Sequence, residues 1–126
     1  MLRNLTQTLD FGKNMNKQGI GFDLVEIERI EELITKYGQK FLSKIYTKNE
    51  IRLCKRKSKQ AEFFAGRFAA KEAVVKLLGT GFRNIYHSDI EVLSDKIGKP
   101  VCVTFPSIDI SITHTKNIAG AIAVYK

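Results

Sequence analysis

Residues 58–78 read SKQAEFFAGRFAAKEAVVKLL and are followed at 79–81 by GTG. Wound at about 100° per residue, Phe64, Phe68 and Val75 share one stripe with Leu78 beside them, and Phe63 and Leu77 fall on the opposite side. Ala61, Ala65, Ala69, Ala70 and Ala73 fill much of the remainder. A helix that is apolar nearly all round belongs in an interior. The segment therefore predicts a long buried helix, stopped by Gly79-Thr80-Gly81. Yet Arg67, Lys71, Glu72 and Lys76 sit on it, with Lys71 inside the Phe64/Val75 stripe and Glu72 next to Phe68. Buried charge is costly unless paired or coordinated. Two readings follow: an i,i+4 pair between Glu72 and Lys76 with lysine stems reaching out to water, or a site that needs those charges.

Upstream, residues 19–25 (GIGFDLV) mix glycine with β-branched and aromatic residues and predict a first strand. Residues 26–37 carry Ile27, Ile30, Leu33 and Ile34 at helical spacing and end at Gly38. A short helical piece follows at 41–45. Thr47-Lys48-Asn49-Glu50 is a capping box that opens a helix reaching about Lys57. Downstream of the GTG stop the pattern changes to strands over 90–93, 101–105, 108–114 and 118–125, with turns at 95–100 and 115–117. Helices first and an antiparallel meander second indicate an α+β domain, with a long central helix packed on a small antiparallel sheet. Residues 1–14 lack periodicity and read as a loose extension, and the compact domain is expected to run from Met15 to Lys126.

The chain has 126 residues, enough for one domain with a sizeable core. Hydrophobic residues make up 44% and charged residues 27%, which excludes a largely disordered chain. No stretch has the length and apolarity of a membrane span. The first residues have no apolar run of the secretory kind, so the cytoplasm is the expected compartment. Cys54 and Cys102 match no metal or redox spacing and read as free thiols. The net charge of +8 points to an anionic partner: nucleic acid, a membrane surface, a phosphorylated small molecule or an acidic protein.

Two more residues break their local pattern. Asp23 interrupts an apolar strand; it caps the helix that begins near Glu26, or it joins Glu72 as an oxygen ligand. Such a sparse pair suits a hard cation like Mg²⁺ when phosphate oxygens complete the shell. His114 closes SITH on the same face as Ile110 and Ile112. It is a structural residue there, or, beside Thr113, Thr115 and Lys116, part of a phosphate site. The GTG turn is neither a Walker loop nor the dinucleotide fingerprint. His87 falls in a loop and attracts no role.

Taken in order, GIGFDLVEIERI, FFAGRFAAKEAVVKLLGTGF, IGKP and SITHTK resemble the holo-[acyl-carrier-protein] synthases, the small bacterial 4′-phosphopantetheinyl transferases, over about residues 18–126. The RFAAKEAVVKLLGTG stretch is the specific part. The resemblance implies the α+β fold of that family and a homotrimer with active sites at subunit interfaces. It implies transfer of phosphopantetheine from coenzyme A to a serine of an acidic apo acyl carrier protein, with release of adenosine 3′,5′-bisphosphate. Carried over by motif, Asp23 and Glu72 are Mg²⁺ ligands, and Lys76 assists proton transfer or neutralises charge. Arg67, Gly79, Thr80, Gly81, His114 and Thr115 belong to the coenzyme A site. Arg29 and the basic helix after it match the carrier-docking surface; Lys36, Lys40 and Lys44, recurring every four residues, read as its basic face or as a solvated one.

The chemistry is consistent with those roles. Coenzyme A is polyanionic, and a divalent ion held by two carboxylates suits a diphosphate under attack. Glu72, through a metal-associated water, is the favoured base for the serine proton. The chain departs from the family in two places: residues 101–113 leave little room for the helix that commonly precedes the SITH strand, and the 1–14 extension is unusual. A nucleic-acid-binding module is the main rival. It is disfavoured because the sequence has no RNP-type strand, helix-turn-helix or zinc spacing, and its aromatics gather on the 63–68 helix as core. A purely structural relative is disfavoured by the presence of both carboxylates and Lys76.

Overall fold

The structure, a computed structural model, describes residues 18–126. The chain runs β1 (Ile20–Glu26), α1 (Ile27–Tyr37), α2 (Gln39–Ile45), α3 (Lys48–Lys55) and α4 (Gln60–Leu78). A 3₁₀ turn (His87–Asp89) then leads to β2 (Val92–Ser94), β3 (Pro100–Cys102), β4 (Ile108–His114) and β5 (Ile118–Tyr125). The expected extension over 1–14 and the domain start at Met15 lie outside the described residues.

The α+β class and the long helix on a small antiparallel sheet are as expected, but the sheet is not a simple meander. Strands β2 and β3 form a separate hairpin, and the main sheet has the order β1-β5-β4. The first strand pairs along its whole length with the last, from Ile20 opposite Val124 to Glu26 opposite Ile118. Its register puts Gly21, Asp23 and Val25 on the inner face, beside Ala119, Ala121 and Ala123 of β5 and Ile108, Ile110 and Ile112 of β4.

Helix α4 lies across that face and also touches α1, α3, β2 and the 3₁₀ turn. Small residues on both sides let it approach closely. A Cβ on Gly21 would fall 1.8 Å from the Ala73 carbonyl oxygen, and one on Gly66 would fall 2.9 Å from Ile112 Cγ2. Ala65, Ala69 and Ala73 are fully buried in this seam. On the far side Phe64 and Val74 meet Ile30, Ile85 and Ile90 in one core. Each of the large members stabilises the fold by about 1.5–3 kcal/mol through burial.

The capping box at Thr47 forms: its hydroxyl accepts from the Glu50 N–H at 3.2 Å, and Glu50 Oε1 accepts from the Thr47 N–H at 2.8 Å. Two local expectations change. Asp23 is mid-strand and caps nothing; the cap of α1 is Glu26, without a side-chain bond, and the Ile27 N–H instead donates to the Asn117 carbonyl at 2.9 Å. The strand expected over 101–105 stops at Cys102 because Thr104 turns its hydroxyl onto the Glu91 N–H (2.8 Å) and the Asp89 carbonyl (3.1 Å), while Phe105 plugs the core. Between β3 and β4 the described backbone holds turns and no helix, consistent with the shortness of 101–113. No helix of the described residues is long and apolar enough to cross a membrane.

Candidate active site

The close seam between β1 and α4 sets the first part of the site. Gly21 removes the side chain that would hold α4 away, so Asp23, two residues on along the same face, comes within reach of the helix. Lys76 Nζ donates to Asp23 Oδ1 at 2.9 Å and to the Phe22 carbonyl at 3.1 Å. The hydrogen bond it donates to Asp23, then the Asp23 charge, holds the exposed Lys76 ammonium above its ordinary pKa, with the Glu72 charge adding to the effect. Asp23 and Lys76, from distant parts of the chain, thus meet as an ion pair. The expected Glu72–Lys76 ion pair gives way to a different pairing: Lys76 takes Asp23, and Glu72 Oε1 meets His87 Nε2 at 3.1 Å.

Lys71 does not reach water as expected. It is wholly buried, 2.6 Å from Glu50 Oε1, and also donates to the carbonyls of His87 (3.0 Å) and Ile90. Burial pushes its pKa down, against the opposing pull of Glu50. The Glu50 carboxylate further accepts from the Val92 N–H at 2.7 Å. This node ties α3, α4 and the 87–92 backbone together and so fixes the wall from which His87 projects.

A second region lies toward the start of α4. A cleft of about 380 Å³ is lined by Lys57, Lys59, Phe63, Arg67, Pro100 and His114, among others. Arg67 is almost fully buried, with Nη2 donating to Ser94 Oγ at 2.7 Å and Nε to the Val92 carbonyl at 3.4 Å. Burial lowers its pKa. The Phe63 ring carries Arg67 on one contact (4.6 Å) and Lys57 on another (4.7 Å). His114 is half exposed, with Nε2 3.9 Å from Glu62 Oε2. Phe63, Lys57 and Lys59 were not expected here. Their only sequence signal is that Phe63 falls off the Phe64 stripe and the two lysines precede it.

The residues expected to bind one coenzyme A are not gathered in one cleft. Gly79–Gly81 form the left-handed stop of α4, with Gly79 at φ 76° and Gly81 at φ 63°. Gly79 lies about 18 Å along the helix axis from Arg67 at 1.5 Å per residue. Asp23 is on β1 and His114 on β4, with β5 between them. Arg29, Lys36, Lys40 and Lys44 are all exposed, but they do not share one helix. Gly38, at φ 55°, breaks the chain between α1, which holds Arg29 and Lys36, and α2, which holds Lys40 and Lys44.

Hard carboxylate oxygens that already draw a cation fit Mg²⁺. No group of three His, Cys, Asp or Glu side chains able to hold a metal occurs among the described residues. Asp23 and Glu72 are the carboxylates that would hold such an ion.

Residues 19–123 match the family described as the 4′-phosphopantetheinyl transferase superfamily. This chain belongs to that superfamily. The transferase is 48% identical over 119 residues to the holo-[acyl-carrier-protein] synthase of Halothermothrix orenii, covering 85% of this chain and 95% of that one. It is 43% identical over 121 residues to that of Alkaliphilus oremlandii, covering 85% and 98%. Among solved structures, the transferase resembles the Bacillus anthracis synthase in complex with CoA (3′,5′-ADP), with a TM-score of 0.75, 42% identity and coverage of 85% and 94%. It also resembles the Helicobacter pylori synthase in complex with coenzyme A, with a TM-score of 0.77, 31% identity and coverage of 86% and 100%.

Proposed function

We propose that this transferase is a holo-[acyl-carrier-protein] synthase that moves 4′-phosphopantetheine from coenzyme A to a serine of an apo acyl carrier protein with Mg²⁺. The observation that carries the reading is the Asp23–Lys76 ion pair across the β1–α4 seam, with Glu72 one helical turn before Lys76 on α4. It occurs in a chain whose close relatives are synthases of this kind.

The serine oxygen attacks the phosphorus attached to pantetheine. A new P–O bond forms, the bond to the other phosphate breaks, and adenosine 3′,5′-bisphosphate leaves with the electron pair. Bound Mg²⁺ supplies charge neutralisation at the diphosphate. Asp23 and Glu72 would hold it, and Lys76 adds a positive charge where negative charge grows on the leaving group. Glu72 takes the serine proton through an intervening water. Arg67 and His114 line the cleft that receives the phosphate-bearing nucleotide end, with Lys57 and Lys59 supplying further charge and Phe63 an apolar wall. The Gly79–Thr80–Gly81 turn and Thr115 contribute backbone and hydroxyl donors.

The separation of these parts supports a homotrimer in which one subunit's carboxylates face the next subunit's cleft. The outer face of the sheet supports assembly independently. Ile20, Phe22 and Leu24 of β1 and Ile122 of β5 stand exposed side by side, and Phe22 pairs directly with Ile122. Such a patch marks a protein-binding surface. Two free buried thiols, Cys54 and Cys102, suit the reducing cytoplasm.

The test is mass spectrometry of apo carrier protein after incubation with this protein, coenzyme A and Mg²⁺. One added phosphopantetheine arm is expected, abolished by a chelator and by Asp23→Ala or Glu72→Ala in folded protein. An unmodified carrier would sink the activity, and transfer undiminished by both substitutions would sink the metal assignment.

A further inference from the structure

The loop after α4 brings a second, unexpected group against Glu72. His87 Nε2 lies 3.1 Å from Glu72 Oε1, with the imidazole N–H donating and the carboxylate accepting. The ring stacks on Phe82 (centroids 4.1 Å apart, 24° between planes) and on Phe68 (5.2 Å, 17°). Its backbone is pinned as well. The His87 carbonyl accepts from Lys71 Nζ at 3.0 Å, and Lys71 is anchored by the buried Glu50. Packing between two phenylalanines alone would be met by another aromatic ring. What imidazole adds is a directed N–H.

We propose that His87 is a positioning residue for the metal site: it holds the Glu72 carboxylate in one rotamer by occupying Oε1 and leaves the other oxygen for the cation and the water that relays the serine proton. The inference rests on the reading of Glu72 as a metal ligand. A carboxylate on a long side chain loses rotamer freedom when it binds an ion. A hydrogen bond made beforehand, from a ring stacked on two phenylalanines, removes part of that cost. The buried Glu50–Lys71 pair thereby acts on the site at one remove, by fixing the backbone from which His87 projects.

The test measures Mn²⁺ binding to the full chain, read from the free-ion EPR signal, for wild type, His87→Phe, His87→Gln and Glu72→Gln. His87→Phe keeps a ring between Phe68 and Phe82 but loses the donor. Its Mn²⁺ dissociation constant should rise about tenfold or more, the range seen when partners of metal ligands are removed. His87→Gln keeps an N–H donor and should stay within about threefold of wild type. In transfer assays His87→Phe should need more Mg²⁺ for half-maximal rate and recover most of kcat at saturating Mg²⁺, which a merely structural defect would not do. If His87→Phe fails to fold, His87→Leu against His87→Gln makes the same comparison. Wild-type Mn²⁺ affinity in the donor-less variant, with Glu72→Gln weakened, overturns the role of His87 and leaves the metal reading standing. Wild-type affinity in Glu72→Gln overturns both.

Discussion

Lys71 Nζ lies 2.6 Å from Glu50 Oε1, and neither side chain touches solvent. Removing one partner of a buried ion pair leaves an uncompensated charge, so Lys71→Met should cost about 3–5 kcal/mol of stability. Replacing both partners with apolar residues is often nearly neutral, but here it should not be. Lys71 also satisfies the His87 and Ile90 carbonyls, and Glu50 satisfies the Thr47 and Val92 N–H groups. Urea unfolding of Glu50→Leu/Lys71→Met at wild-type stability would show that those backbone groups find other partners.

Gly21→Ala should be among the most damaging single-methyl additions. The new Cβ meets the Ala73 carbonyl oxygen at 1.8 Å and the Leu77 nitrogen at 2.8 Å, both backbone atoms. Helix α4 would have to shift, costing about 3 kcal/mol or more, and Asp23 would move away from Lys76. Gly66→Ala meets only a side-chain methyl at 2.9 Å. Its gain in helix propensity, about 1 kcal/mol, offsets much of that strain. Thermal melts that rank the two variants the other way would contradict the seam described here.

Burial pushes the Cys54 thiol up to about 12 and the Cys102 thiol up to about 11, from an ordinary value of 9.0. Below pH 9 both thiols are protonated in folded and unfolded chains and have no effect on the balance. Above it the unfolded chain loses its protons first. Stability then falls until the pH passes the folded values, by about 1.4 kcal/mol per pH unit for each thiol. Cys54→Ala/Cys102→Ala should therefore show a shallower alkaline loss. An unchanged slope between pH 9 and 11 would assign the loss to other groups.

Lys36, Lys40 and Lys44 flank the break at Gly38 on two helices, all three exposed. Reversal of all three to Glu should weaken binding of an acidic carrier protein far more than binding of coenzyme A, and should flatten the salt dependence of the carrier association rate. Equal loss toward both ligands would remove this surface from the docking site.

If each site draws on two subunits, inactive Asp23→Ala and Arg67→Ala chains should regain activity when mixed, since some interfaces then pair two intact halves. Phe22→Lys, placed on the exposed apolar face, should shift the sedimentation profile toward monomer. Mixtures that stay inactive, with subunit exchange verified, would place the whole site in one chain.

The chain of short-range signals was legible without coordinates. The periodicity of 60–78, the Thr47–Glu50 capping box, the Gly38 and Gly79 stops and the β4–β5 hairpin all record contacts between residues a few positions apart, and each forms close to where it was expected. The order of motifs also pointed to the superfamily. Other features depended on the tertiary structure. Strand β1 pairs with β5 from the other end of the chain, Glu72 takes His87 in place of Lys76, and Lys71 finds Glu50 in the core. These partners lie far apart along the chain. How near β1 comes to α4 is set by side-chain volume at the seam, where Gly21 meets Ala73, and the Glu50 and His87 contacts follow from how α3 and the 87–89 turn pack on α4. Local spacing carries no record of that distance; only the packed fold determines it.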